Sequence, residues 1–126
     1  MREILFRGKR LYDGQWINGS LLLYPDVNRA YIIIWDYFKG QCCEVIRDTI
    51  GQYTGLTDKN GEQIFEGDIL LLDGEDGYFK LEFDEDTARF VMIGDSVQVD
   101  FDNFWSYEVE VIGNIHDNQE LLEVAQ

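Results

Sequence analysis

The feature that most constrains the fold of this chain is a series of short runs in which apolar and polar residues alternate. The segment SVQVDF, for example, places Val97, Val99 and Phe101 at every second position. Successive side chains of a strand point to opposite faces, so each run is typical of a half-buried strand. Turn-forming residues separate the runs at intervals of about 8–12 residues, which favours a small barrel or a sandwich. The chain is therefore predicted to be mainly β, α+β at most.

The length and composition are those of one domain. The 126 residues are 45% hydrophobic, enough for a core without disulfides. We predict a single domain over 1–126, with a small β-rich N-terminal part over 1–48 and a barrel-like part over 49–126. In the second part, Gly67-Asp68 precedes the apolar run Ile69–Leu72, which is typical of the entry to an SH3-like barrel. Ile69 and Leu71 are expected to face the core.

A short C-terminal helix is predicted after the last strand. Asp117 and Glu120 have the spacing of a capping box, in which the first residue accepts from the start of the helix and the acid lies three positions on. Leu121 and Leu122 then supply an apolar edge.

The segment Asp58-Lys-Asn-Gly-Glu62 begins like a calcium-binding loop. Counted from Asp58, however, position 6 is Gln63 rather than glycine and position 12 is Ile69 rather than an acid. The sequence therefore predicts no metal site here. Asn60-Gly61 instead favours a two-residue hairpin turn of type I′, which needs positive φ at both central residues.

Charge is distributed unevenly. Residues 1–56 carry seven basic and six acidic groups, whereas residues 57–126 carry three basic and nineteen acidic groups, so the two parts have net charges of +1 and −16, which sum to −15. This asymmetry indicates either a binding surface, packing of a basic end on an acidic face, or a surface that only favours solubility. It argues against nucleic-acid binding through the second part, because phosphates attract Lys and Arg.

No catalytic, cofactor-binding or metal-ligating residue is predicted. His116 is the only histidine, and the chain has neither a nucleophile-elbow sequence nor a phosphate-binding glycine loop. The acidic clusters around Asp73–Asp76 and Asp84–Asp86 are typical of solvated turns, although weak cation binding or a carboxylate pair stays an alternative. Trp105 is expected to be partly exposed in a loop.

The adjacent cysteines Cys42 and Cys43 are predicted to point to opposite faces of a strand, one thiol in the core and one on the surface. Their spacing fits neither a disulfide nor a metal motif. Together with the absence of a signal peptide and of a long apolar run, this pattern leads us to expect a location in a reducing cytoplasm.

Three motifs, in order, resemble the YopX family of bacteriophages and of prophages in Gram-positive bacteria. They are REILFRGKR with the following GQWING, GQYTGLTDKNGEQIFEGDIL over 51–70, and EVIGNIHDNQELL over 110–122. Phe65 stands where tyrosine is at least as frequent in the family, and Gln119 where proline is frequent. The resemblance implies a small, mainly β protein with a barrel-like C-terminal part, and it carries over no activity, catalytic residue or cofactor.

We expect a phage- or prophage-encoded, non-enzymatic cytoplasmic protein that acts by binding, as a homo-oligomer. The basic groups Arg2, Arg7, Lys9 and Arg10 at one end and the acidic second part motivate the oligomer. An alternative is an acidic DNA mimic that inhibits a basic, nucleic-acid-binding host protein. A further alternative is a small barrel that binds nucleic acid through its N-terminal basic residues. No membrane partner is expected.

Overall fold

The protein is described by a computed structural model that covers residues 3–24, 27–35, 40–74 and 77–124. Its elements are short antiparallel strands with two short helices, and a 3₁₀ turn over Arg47–Thr49. The strands are β1 Phe6–Lys9, β2 Trp16–Tyr24, β3 Arg29–Trp35, β4 Gly40–Val45, β5 Gly51–Thr57, β6 Gln63–Phe65, β7 Asp68–Leu72, β8 Phe79–Asp84, β9 Arg89–Gly94, β10 Val97–Asp100 and β11 Val109–Asn114; the helices are α1 Asn103–Ser106 and α2 Gln119–Val124. The mainly β prediction is confirmed.

The chain divides into two compact units, Met1–Tyr53 and Thr54–Gln126. In the first unit the strand order is β4-β3-β2-β1, and the first residues of β5 pair with β1. The sheet also closes on itself, because Leu11 donates its backbone N–H to the Glu44 carbonyl at 2.9 Å and Ile46 donates to the Lys9 carbonyl at 2.8 Å. Strands β1 to β4 therefore form a small closed barrel, which leaves no unpaired edge at this point.

The core of the first unit is small and aliphatic. Ala30, Ile32 and Val45 are its buried centre, and partly buried side chains such as Phe6 and Ile17 pack around them. The two cysteines confirm the predicted alternation on β4: Cys43 is buried, Cys42 is exposed, and both thiols are free.

The second unit contains a five-stranded antiparallel sheet in the order β10-β9-β8-β7-β11. Consecutive strands β7 to β10 form a meander, and β11 pairs with the other edge of β7. The short strand β6 pairs with β5. The core is lined by one face of each strand, and its fully buried centre includes Leu70, Leu81, Met92 and Val109.

The entry to β7 is built as the Gly-Asp pair predicts. Gly67 has a φ of +93°, and Asp68, 1% exposed, accepts the backbone N–H of Phe65 at its Oδ2 at 2.7 Å. The predicted inward face holds only in part: Ile69 is completely buried, as expected, but Leu71 is not. Leu70 belongs to the core of the unit, whereas Leu71, on the opposite face, is only partly buried.

The tail forms the predicted helix, but its start differs. Helix α2 begins at Gln119, so Asn118 precedes it in place of Asp117. The Asn118 side-chain oxygen accepts the backbone N–H of Asn114 at 3.1 Å, and the Asp117 carboxylate accepts from the Asn114 side-chain amide at 3.2 Å. These side chains order the turn between β11 and α2.

Some predicted features concern residues outside the described ranges. They are Arg2 of the basic end and Glu75 and Asp76 of the first acidic cluster. Within the described residues, neither helix is long and apolar enough to cross a bilayer.

Candidate binding surface of the second unit

The turn between β5 and β6 is built on a buried carboxylate. Asp58 is 3% exposed. Its Oδ1 accepts the backbone N–H groups of Asn60 and Glu62, at 2.8 and 2.9 Å, and its Oδ2 accepts that of Val111 at 2.9 Å. Both oxygens therefore bind backbone donors, and the second one ties the turn to β11.

The hairpin predicted at this turn is confirmed, but the predicted turn type is wrong. Asp58 donates its N–H to the Glu62 carbonyl at 2.8 Å, and Gly61 donates to the Asp58 carbonyl at 3.0 Å. Positive φ occurs at Gly61, +83°, and not at Asn60. The loop is a turn followed by a glycine in the left-handed conformation. This arrangement is common in hairpin loops of more than two residues. The side-chain bond from Asp58 to the Asn60 N–H stabilises it as an Asx turn.

The outer side of β8, the turn after it and the end of β10 carry a group of carboxylates. We call the group formed by Glu82, Asp84, Glu85, Asp86 and Asp100 the acidic face. Glu82 and Asp100 lie on either side of the strand β9, each directly opposite Val91 in the pairing register. Glu85 and Asp86 are exposed in the turn, where the Asp86 N–H donates to the Asp84 carboxylate at 3.0 Å.

The basic side chains of this unit are already paired with its own acids. Its sequence contains three, Lys59, Lys80 and Arg89. They bind, respectively, Asp73 at 3.0 Å, Glu82 at 2.8 Å and Asp100 at 2.7 Å. The hydrogen bond that Lys59 donates to Asp73 raises the pKa of Lys59 above its usual value. The unit therefore keeps a net charge of −16 after its cations have been matched.

Helix α1, a single turn, and its C-cap residue present two aromatic rings to solvent. Phe104 is 67% exposed and Tyr107 is 70% exposed. We call them the aromatic pair; at i and i+3 of a helical turn they lie on the same side. The turn is fixed at its start by the Asp102 carboxylate, which accepts the Phe104 N–H at 3.0 Å. The turn is also held in place by Trp105, whose side chain packs against the core of the unit.

Carboxylates adjoin the aromatic pair in the sequence. Asp102 and Glu108 are exposed and directly flank the turn, and Asp100 of the acidic face ends the strand that leads into it. The Phe104 ring stands edge-on to the Trp105 ring, with centroids 5.1 Å apart. An anchored ring that is exposed and adjoined by negative charge is suited to hold a cation by cation–π attraction.

Three basic groups of the first unit lie close to acidic or aromatic partners. Arg7 lies over the Trp16 ring, 4.7 Å from its centroid, and Lys9 lies 5.5 Å from the same centroid. Arg10 binds Asp13, with Nε 2.9 Å from Oδ1. The hydrogen bond from Arg10 lowers the pKa of Asp13 to about 2.

Two residues considered for chemistry belong neither to the acidic face nor to the aromatic pair. His116 is exposed in the turn before α2, where its backbone N–H donates to the Asn114 side chain at 2.9 Å. Cys43 lines a cavity of about 300 Å³ in the first unit, together with Leu11 and Tyr12. The described residues contain no group of three or more His, Cys, Asp or Glu side chains placed to hold a metal ion.

Sequence reasoning identified the partly exposed tryptophan of this segment but missed its two more exposed aromatic residues. Trp105 is half-buried, in agreement with the prediction, but it lies in a helical turn rather than in a loop. The most exposed aromatic side chains of the segment are Phe104 and Tyr107. A signal was present: Asp102 is a typical N-cap residue, and the two rings are spaced by about one helical turn.

Comparison with known proteins gives a structural relative and a family. The crystal structure of protein EF1440 from Enterococcus faecalis is similar over 97% of this chain and 99% of that one, with a TM-score of 0.64 and 26% identity. Among proteins with curated descriptions, none matches. The family model described as YopX protein matches residues 5–123. Because that match spans nearly the whole sequence, the chain belongs to the YopX family.

Proposed function

We propose that the protein acts by binding, without catalysis, and that its partner is a protein with a positively charged surface that contacts the acidic second unit. The observation that carries this proposal is the pairing of Lys59, Lys80 and Arg89 with acids of their own unit. With its cations matched internally, the unit has a charge of −16 to be neutralised from outside. Complementary charge would speed association and favour basic partners over acidic ones.

The narrower form of the proposal is mimicry of DNA. In that form the partner is a nucleic-acid-binding protein of the bacterial host, and the acidic face occupies the surface that otherwise contacts phosphates. The carboxylates of Glu85 and Asp86 support this form because they are exposed in a turn, where they can reach a partner. The same proposal includes three expectations from the sequence. They are phage or prophage origin, a cytoplasmic location and an SH3-like barrel in the second unit.

The test is retention of bacterial proteins by the immobilised chain at low ionic strength, followed by elution with increasing NaCl. We expect retained proteins of high isoelectric point that elute as salt screens the charges. A purified retained protein should then bind the chain in solution, and added duplex DNA should compete if mimicry is correct. Retention of no basic protein at low salt would contradict the proposal.

A matched variant separates charge from shape. The triple substitution Asp84→Asn, Glu85→Gln and Asp86→Asn removes three charges with little change in volume. We expect it to weaken binding of the purified partner about tenfold or more at low salt, since three surface contacts of ordinary strength are lost. Unchanged affinity would mean that the partner contacts a surface other than the acidic face.

A second copy of the chain is the other candidate partner. Exposed apolar side chains of the first unit favour it: Leu11 is 57% exposed and Tyr12 is 92% exposed, and both line the cavity described above. Light scattering of the purified protein should then give a mass above that of the monomer. A monomer at every ionic strength would exclude this candidate.

Nucleic-acid binding by the first unit has less support. Arg10 is paired with Asp13, and Arg7 and Lys9 are both close to the Trp16 ring. A gel shift of nucleic acid at low salt would support this binding, and the absence of any shift would exclude it.

A further inference from the structure

We infer that the aromatic pair, Phe104 and Tyr107, is the docking point for an arginine-bearing segment of the basic partner. This inference rests on the proposed function, because it names the residues of the second unit that contact the basic partner.

Exposure is the first observation. Most large apolar side chains in the second unit turn into its core, whereas both members of the aromatic pair are about two-thirds exposed on one short helical turn. Aromatic rings presented in this way are the side chains that most often anchor protein interfaces.

Rigidity is the second observation. The turn is capped by the Asp102 carboxylate on the Phe104 N–H, and the backbone N–H groups of Trp105 and Ser106 both donate to the Asp102 carbonyl at 3.1 Å. Ser106 is 1% exposed. The rings are thus held on a fixed turn before a partner arrives, which reduces the entropy lost on binding.

Charge selects the occupant. Asp102 and Glu108 are exposed on either side of the turn. A guanidinium can lie flat on an aromatic face and still donate hydrogen bonds to a carboxylate at its edge. Lysine offers a compact ammonium with weaker stacking. The combination of exposed rings and adjoining carboxylates therefore favours arginine over lysine, and a basic segment over an apolar one.

The experiment measures binding of fluorescent octa-arginine and octalysine peptides to the full chain by anisotropy at low ionic strength. We expect octa-arginine to bind more tightly than octalysine. The double substitution Phe104→Ala and Tyr107→Ala should weaken octa-arginine binding about five- to thirtyfold, the loss expected for two exposed cation–π contacts, and should reduce the preference for arginine.

Two controls keep the outcome specific. Phe104→Tyr with Tyr107→Phe retains both rings and should bind like the natural chain. Tyr12→Ala removes an exposed aromatic ring from the first unit and should leave peptide binding unchanged. Near-ultraviolet circular dichroism and the melting temperature check that each variant folds.

The possible failures are distinguishable. If the natural chain binds neither peptide in a salt-sensitive way, the proposed function itself is contradicted. If it binds both peptides equally, or if the alanine variant binds octa-arginine as well as the natural chain does, the acidic unit still attracts cations but the aromatic pair is not the docking point.

Discussion

At the scale of single residues, Asp58 is the most informative side chain. A buried carboxylate is costly unless its oxygens receive hydrogen bonds, and Asp58 receives three from the backbone, across a sequence separation of 53 residues in the case of Val111. One side chain therefore closes the β5–β6 turn and attaches it to β11. The residue that most suggested an ion ligand is explained by the hydrogen bonds of the fold.

We predict that Asp58→Asn destabilises the protein by about 2–3 kcal/mol, because one side-chain oxygen is replaced by an NH₂ group that cannot accept the Val111 N–H, and a buried donor is left unsatisfied. Urea unfolding followed by tryptophan fluorescence measures this loss.

Asp73→Asn is the matched control, since it makes the same chemical change in an exposed ion pair with Lys59. It should cost less than about 1 kcal/mol. Equal effects of the two substitutions would mean that the Asp58 network contributes little.

Residue-level prediction succeeded where one face of a strand is buried. Cys42 and Cys43 alternate as the period of a strand requires. It succeeded only in part on β7, where Ile69 is completely buried as expected, but Leu70 is completely buried as well. When adjacent residues on opposite faces are both apolar and both covered, alternation carries no information about which one faces the core.

At the scale of elements, strand β2 shows how closely the first barrel is packed. Gly19 pairs with Phe6 on β1, and a Cβ added at Gly19 would run into the backbone carbonyl of Ile33 on β3. Backbone atoms cannot move aside as a flexible side chain can, so the strand tolerates only glycine here without a shift of the sheet.

We predict that Gly19→Ala destabilises the protein by about 3 kcal/mol or more, since the overlap forces β2 away from β3. Thermal unfolding by far-ultraviolet circular dichroism would show a lowered midpoint.

Gly14→Ala serves as the comparison. Gly14 has a φ of +73°, but a Cβ there would meet nothing within 4 Å. That substitution should cost only the strain of a left-handed alanine, about 1 kcal/mol. A larger loss at Gly14 than at Gly19 would contradict the steric explanation.

The elements themselves were largely predictable because their signals are local. The short alternating runs became strands, and Asn60-Gly61 marked a hairpin. The closure of the first barrel was not predictable, because the pairing of Arg10 with Val45 joins positions far apart in the chain, and no local pattern encodes it. The one-turn helix α1 was missed for a different reason: four residues are too few to show helical periodicity.

At the scale of the whole molecule, the uneven charge is the dominant property. The division between the units, after Tyr53, falls close to the point where the sequence changes from a net charge near zero to a net charge of −16. The exposed ion pairs of Lys59, Lys80 and Arg89 offset little of the repulsion among the remaining carboxylates, because such pairs are weak in water. A compact body with this charge is destabilised by its own field.

We predict that NaCl raises the melting temperature of the protein. Salt shortens the range of electrostatic interaction from about 10 Å at 0.1 M to about 3 Å at 1 M, and repulsion among carboxylates is spread over longer distances than the attraction within each ion pair. Screening should therefore remove more repulsion than attraction, and the net effect should be stabilising. Chloride is preferred to sulfate, which stabilises proteins by exclusion from their surface.

The triple variant Asp84→Asn, Glu85→Gln and Asp86→Asn tests the cause of this effect. Removal of three neighbouring charges should raise the melting temperature at low salt and flatten its dependence on NaCl, because less repulsion remains to be screened. If the melting temperature of the natural chain instead fell with added NaCl, attraction would outweigh repulsion. The carboxylates would then be balanced within the molecule, and the acidic unit would have no excess of charge to offer a basic partner.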